Sequence, residues 1–131
     1  MHSILLVEDH TIFASVLVRM LHQTDDLKVT QLANTAEAAL QLLPDSELDL
    51  VIVDVFLPSM NGIDLVALIH EQYPELPCLM LSGHMLRRYV ESSLQAGASG
   101  YVLKDNPMGI LAGIRHVLKG ETYISRELRD E

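Results

Sequence analysis

The chain is predicted to fold as an α/β domain, doubly wound around a buried parallel sheet. Short apolar runs such as Ile4-Leu5-Leu6-Val7 and Leu50-Val51-Ile52-Val53 are continuous rather than alternating, the pattern of strands covered on both faces. They alternate with segments of helical periodicity about ten to fifteen residues long, as repeated βαβ units do. Each of four runs also ends on a polar residue. Ser3–Val7 leads into Glu8-Asp9, Asp49–Val53 into Asp54, Cys78–Leu81 into Ser82 and Gly100–Leu103 into Lys104. Open parallel sheets bind ligands beyond the carboxyl ends of their strands, so one edge should gather three carboxylates, a hydroxyl and an ammonium.

The elements follow in order. A strand over 3–8 precedes a helix over 11–23, where Phe13, Leu17 and Met20-Leu21 recur at helical spacing. A second strand covers 28–33. Thr35 is a candidate cap for a helix through 43, with Pro44 just past its end. The third strand is 49–54. Pro58 and Asn61-Gly62 mark a loop, and a helix runs on to 73. A strand at 78–82 leads to a helix over 85–95, and Gly97-Ala98-Ser99-Gly100 makes a turn into the last strand, 100–103. Pro107 suits the first turn of a final helix to 119, which Gly120 would end. With right-handed crossovers, five such units most economically give the flavodoxin-like (βα)5 sheet order 2-1-3-4-5. Residues 1–119 make one domain, and 120–131 read as a C-terminal extension or the start of a linker.

With 131 residues and 49% hydrophobic composition, the chain is large enough for a core without cross-links. No apolar run approaches the length of a membrane span, and the N-terminal run is too short, and lacks the basic lead, for a signal peptide. The lone Cys78 reads as a buried thiol, which fits a reducing, cytoplasmic setting. Eighteen acidic residues against nine basic ones give a net charge of −9, the opposite of a nucleic-acid footprint.

In the order 2-1-3-4-5 the first and third strands are neighbours, so Glu8, Asp9 and Asp54 converge. Three close carboxylates repel unless a cation intervenes, and Mg²⁺ (or Mn²⁺ in its place) is the hard, oxygen-seeking partner that also bridges to phosphate. Lys104 adds a compact positive charge and Ser82 a hydroxyl, a set equipped for aspartyl-phosphate chemistry. Singly, each residue has a plainer reading: a solvated acidic pair, a turn-forming Asp, a core Tyr101, surface histidines at 2, 10, 22, 70, 84 and 116 without ligand spacing. Joint placement on one edge outweighs them. The first and last helices are apolar over more than one face, through Ile12, Val16 and Val18 and through Ile110, Leu111, Ile114, Val117 and Leu118. That surplus suits a homodimer contact or the seat of an effector domain.

These residues resemble the receiver domain of two-component response regulators. The likeness rests on Glu8-Asp9, on Asp54 with Leu57-Pro58-Ser59-Met60-Asn61-Gly62, and on Ser82, Tyr101 and Lys104, in order over residues 2–119. Gly97–Asp105 and Gly120–Ser125 are similar to the NarL/FixJ-like subfamily, whose members carry a LuxR-type helix-turn-helix. The resemblance implies that Asp54 accepts a phosphoryl group from a sensor histidine kinase or phosphotransfer protein. It implies Mg²⁺ on Asp9, Asp54 and the backbone carbonyl of Phe56, with Glu8 acting through water. Ser82 would then bind the phosphoryl group, Tyr101 would rotate inward as the switch, and the output would be transcription. DNA would be reached only through an effector domain outside this sequence. Asn61 replaces the family's frequent Asp, and Asp105 follows Lys104 where many receivers have a proline.

The resemblance implies a self-phosphorylating and self-dephosphorylating signalling domain rather than a conventional enzyme. A haloacid-dehalogenase-like phosphohydrolase needs a second Asp where this chain has Phe56. A flavodoxin-like cofactor binder needs a phosphate loop where it has Glu8-Asp9-His10. A stand-alone or degenerate receiver, acting only as an interaction module, is the remaining alternative.

Overall fold

A computed structural model describes residues 1–129. The strands are β1 (His2–Val7), β2 (Leu27–Ala33), β3 (Leu50–Asp54), β4 (Cys78–Ser82), β5 (Gly100–Leu103) and β6 (Tyr123–Ile124). The helices are α1 (Thr11–His22), α2 (Ala36–Leu42), α3 (Gly62–Gln72), α4 (Arg87–Ala96) and α5 (Pro107–Leu118). All strands pair in parallel in the order β2-β1-β3-β4-β5-β6. The predicted doubly wound fold and its strand order are therefore observed, with one more strand at the edge.

Alternation along the strands builds two cores. Leu5, Val7, Val51, Val53 and Met80 face α2, α3 and α4, while Ile4, Leu6, Leu50, Ile52, Leu79 and Leu81 face α1 and α5. Every residue of β3, β4 and β5 is buried, which explains why those strands read as unbroken apolar runs. Helix ends follow local chemistry. Thr35 Oγ1 accepts the Ala38 N–H (3.0 Å), Asn61 Oδ1 the Asp64 N–H (2.9 Å) and Asn106 Oδ1 the Gly109 N–H (3.0 Å). Gly97 closes α4 at φ 111°, where a side chain is strained and a Cβ would lie 2.4 Å from the His70 ring.

Two local expectations shift. After Leu42 the chain tightens into a 3-10 turn over Leu43–Asp45, because Pro44 has no N–H to continue the helix. Helix α4 begins at Arg87 rather than 85, because the His84 backbone is tied to Ser82 and Tyr101 outside the helix. Tyr123–Ile124 pairs with β5, and a 3-10 turn over Arg126–Leu128 buries Leu128 against the Tyr101 side of the core. The peptide bond after Lys104, like every other among the described residues, is trans.

Candidate functional site

The carboxyl ends of β1, β3, β4 and β5 meet at one edge, as the strand ends imply. Asp54 closes β3 and Ser82 closes β4. Glu8-Asp9 follows β1, and Lys104 follows β5. Register does the aligning: Val7 sits opposite Val53, Asp54 opposite Leu81, and Ser82 opposite Leu103. Gly62, at the start of α3, lets the loop close over Asp54, since its N–H donates to the Val55 carbonyl (2.7 Å) and a Cβ would lie 2.0 Å from the Asp54 carbonyl oxygen.

Lys104 is the hub. Its Nζ lies 2.9 Å from Asp54 Oδ2 and 2.7 Å from Glu8 Oε1, and 4.9 Å from the centre of the Phe13 ring. Both carboxylates are buried, Glu8 at 2% and Asp54 at 3% exposure. Asp54 Oδ1 accepts the Phe56 N–H (3.1 Å), and Glu8 Oε2 accepts the His10 N–H (3.0 Å). Burial pushes the Asp54 carboxyl up to about 6; the Lys104 hydrogen bond opposes the rise and the neighbouring Glu8 charge adds to it. Burial works against the Lys104 ammonium, but its contacts with Glu8 and Asp54 prevail and hold it above the usual lysine value.

Glu8, Asp9, His10 and Asp54 each offer a ligand atom within 4.8 Å of the others. One buried oxygen there, Asp9 Oδ1, has no hydrogen-bond partner, while Glu8 Oε1 is taken by the Lys104 ammonium at 2.7 Å. An unpartnered carboxylate oxygen in a crowded acidic cluster fits a hard divalent cation such as Mg²⁺ or Mn²⁺. By sequence, His10 is one of six scattered surface histidines. The fold turns it toward the cluster, with its Nδ1 3.7 Å from Glu8 Oε2 and 4.0 Å from Asp9 Oδ1. Its only sequence signal is its place directly after the acidic pair.

Ser82 Oγ accepts the His84 N–H (2.9 Å), and the Tyr101 hydroxyl donates to the His84 carbonyl (3.3 Å). Tyr101 is wholly buried, and that burial raises its hydroxyl pKa. The Tyr101 ring therefore lies inward, its hydroxyl within reach of the His84 carbonyl. Phe56 stacks edge-on against His84 (4.7 Å between ring centres) and Tyr89 (5.2 Å), roofing the Asp54 side of the site.

Known proteins are similar to this chain in sequence and fold. The family described as the response regulator receiver domain matches residues 4–115. The transcriptional regulatory protein MctR of Rhizobium johnstonii is 32% identical over 97% of this chain and 60% of its own length. The DNA-binding transcriptional activator DevR/DosR of Mycobacterium tuberculosis is 34% identical over 95% of this chain and 58% of its own length. The chain therefore spans somewhat over half the length of these relatives. A crystal structure of a LuxR-family two-component response regulator from Aurantimonas superposes with a TM-score of 0.93 at 27% identity, covering 97% of this chain and 91% of that one. Carboxylates, lysine and hydroxyl at the switch point, on this sheet order and with these relatives, place the chain in the response regulator receiver domain family.

Proposed function

We propose that the chain accepts a phosphoryl group on Asp54 from a phosphohistidine of a sensor histidine kinase or phosphotransfer protein, and repacks in response. The observation that carries this reading is the Lys104 ammonium held between two buried carboxylates, 2.9 Å from Asp54 and 2.7 Å from Glu8. An Asp54 oxygen attacks phosphorus while the bond from phosphorus to the donor imidazole breaks; the electron pair leaves with the imidazole. With a small acyl phosphate, a phosphorus–oxygen bond breaks instead and a carboxylate leaves. Asp9, Asp54 and the Phe56 carbonyl, with Glu8 through water, would hold the divalent cation, whose chemistry is to draw off charge from the phosphoryl oxygens. Lys104 supplies a fixed positive charge beside the nucleophile.

The new group brings close to two negative charges into the site. Ser82 turns its hydroxyl to that group and releases the His84 N–H. With Tyr101 inward and bonded to the His84 carbonyl, the 83–86 loop and α4 are the elements whose packing then changes. Phe56 and His84 flank the approach of water and set the lifetime of the phosphoryl group. Hydrolysis restores the starting state.

The likeness to MctR and DevR/DosR supports an output in transcription, through a helix-turn-helix outside this sequence. A net charge of −9 argues against DNA contact by the receiver itself. A sensor kinase's phosphohistidine as donor supports a cytoplasmic setting; among the described residues no helix is long and apolar enough to cross a membrane. An apolar groove of about 780 Å³ between α1 and α5, with Ile12 (82% exposed) and Val16 (60%) on its wall, supports a second copy as a partner. Sedimentation of the phosphorylated protein as a strict monomer at high concentration removes that partner.

Intact mass after incubation with acetyl phosphate and Mg²⁺ tests the central reading. One added phosphoryl group on the parent and none on Asp54→Ala is expected. No adduct from acetyl phosphate or from a phosphohistidine protein leaves the interaction-module alternative.

A further inference from the structure

Beyond the sequence-predicted site, Ser125 makes two bonds to the strand that presents Lys104. Its N–H donates to the Tyr101 carbonyl (2.9 Å), and its Oγ accepts the Leu103 N–H (3.3 Å). Leu103 immediately precedes Lys104, whose own N–H is held on the opposite side of the strand by the Ser82 carbonyl (2.9 Å). The Ser125 carbonyl is taken by the Leu128 N–H (2.9 Å), so the backbone turns away and the side chain completes the β5 edge in its place. Ser125 is 1% exposed, so without it the Leu103 N–H is left buried and unpaired.

The surroundings are shaped to receive this segment. A Cβ on Gly100 would lie 2.6 Å from the Tyr123 carbonyl oxygen, and one on Gly113 would lie 3.1 Å from the Tyr123 ring. Leu128 is buried in the same cluster as Tyr101, Leu103 and Val90. The Arg129 Nε–H donates to the Ile124 carbonyl (2.6 Å), tying the segment's end back to β6.

We propose that Ser125 is a positioning residue for the phosphoryl site: it fixes the end of β5 that aims Lys104 at Asp54 and Glu8, and links docking of residues 123–128 to the state of Asp54. This rests on the phosphoacceptor reading above. Because linkage is reciprocal, whatever alters the Asp54–Lys104 contact also alters how firmly 123–128 is held.

The test compares the full chain with Ser125→Ala and Ser125→Thr, by residue-resolved amide exchange and by the rate of phosphoryl uptake from acetyl phosphate. For Ser125→Ala, exchange at Leu103 and Lys104 should speed about tenfold, the loss of a one-hydrogen-bond constraint, while Leu6 and Ile52 keep their protection. Uptake should slow severalfold, and Ser125→Thr, which keeps the acceptor, should restore both. A uniform loss of protection across the sheet, or unchanged uptake despite a loosened strand end, overturns the positioning role. No uptake by the parent sinks the phosphoacceptor reading and this inference together, whereas normal uptake by parent and Ser125→Ala alike sinks this inference alone. Should Ser125→Ala not fold, Leu128→Ala, which loosens the segment without removing the hydroxyl, must show the same slowed uptake or the linkage fails.

Discussion

Lys104 Nζ and Asp54 Oδ2 stand 2.9 Å apart at the ends of strands separated by β4, and the same ammonium touches Glu8. Replacing Lys104 by Met leaves two buried carboxylates facing each other. Breaking a fully buried pair costs roughly 3–5 kcal/mol. The Lys104 side chain is 18% exposed, so a loss nearer 2 kcal/mol is expected at pH 7.5. Urea unfolding should show it, and the difference from the parent should shrink as pH falls below about 6, where Asp54 takes up a proton. Mg²⁺ should recover part of the loss at pH 7.5.

Asp54 itself should make the domain less stable as pH rises. Its carboxyl is held at about 6 in the fold against 3.8 as a free group. The favourable contribution is therefore complete below pH 3.8 and is lost as pH climbs through about 6, because the unfolded chain ionises first. The interval between those two values corresponds to about 3 kcal/mol as an upper figure. Asp54→Asn should remove this slope, so that it matches the parent near pH 4 and exceeds it at pH 7.5. A parent and variant with parallel stability–pH curves would contradict the burial-driven shift.

Gly62→Ala should damage the site through the backbone. The added Cβ meets the Asp54 carbonyl oxygen at 2.0 Å, and backbone cannot step aside as a flexible side chain can. A loss of about 2–3 kcal/mol is expected by thermal or urea unfolding, with phosphoryl uptake falling further than stability alone explains. Gly83→Ala is the control, since nothing lies within 4 Å of a Cβ there.

Phe56→Ala opens the aromatic roof made with His84 and Tyr89. Phosphoryl loss from Asp54, followed by intact mass after removal of donor, should accelerate severalfold, with the uptake rate little changed. An unaltered lifetime would mean that water reaches the phosphoryl group by another route.

Much of this protein was legible in its amino acids, for a local reason. Strands buried on both faces must be apolar at every position, so 50–53, 79–81 and 101–103 stand out directly, and a polar residue where such a run stops marks the sheet edge. Glu8, Asp9, Asp54, Ser82 and Lys104 were visible by that rule. Thr35 and Pro44 likewise announced the limits of α2, and Pro107 and Gly120 those of α5, through their own capping and backbone chemistry.

Only the tertiary structure decided what has no local period. Strand β6 is two residues long and exists because the outer edge of β5 offers it hydrogen bonds. His10 joins the acidic cluster because α1 begins beside it, and Tyr101 lies inward because the loop after β4 puts a carbonyl within reach of its hydroxyl. Ser125 lies 22 residues along the chain from the amide it completes. Burial pattern and capping are properties of a few adjacent residues. Which side chain meets which across the sheet depends on strand register and on the return of distant chain, and no short stretch of sequence contains either.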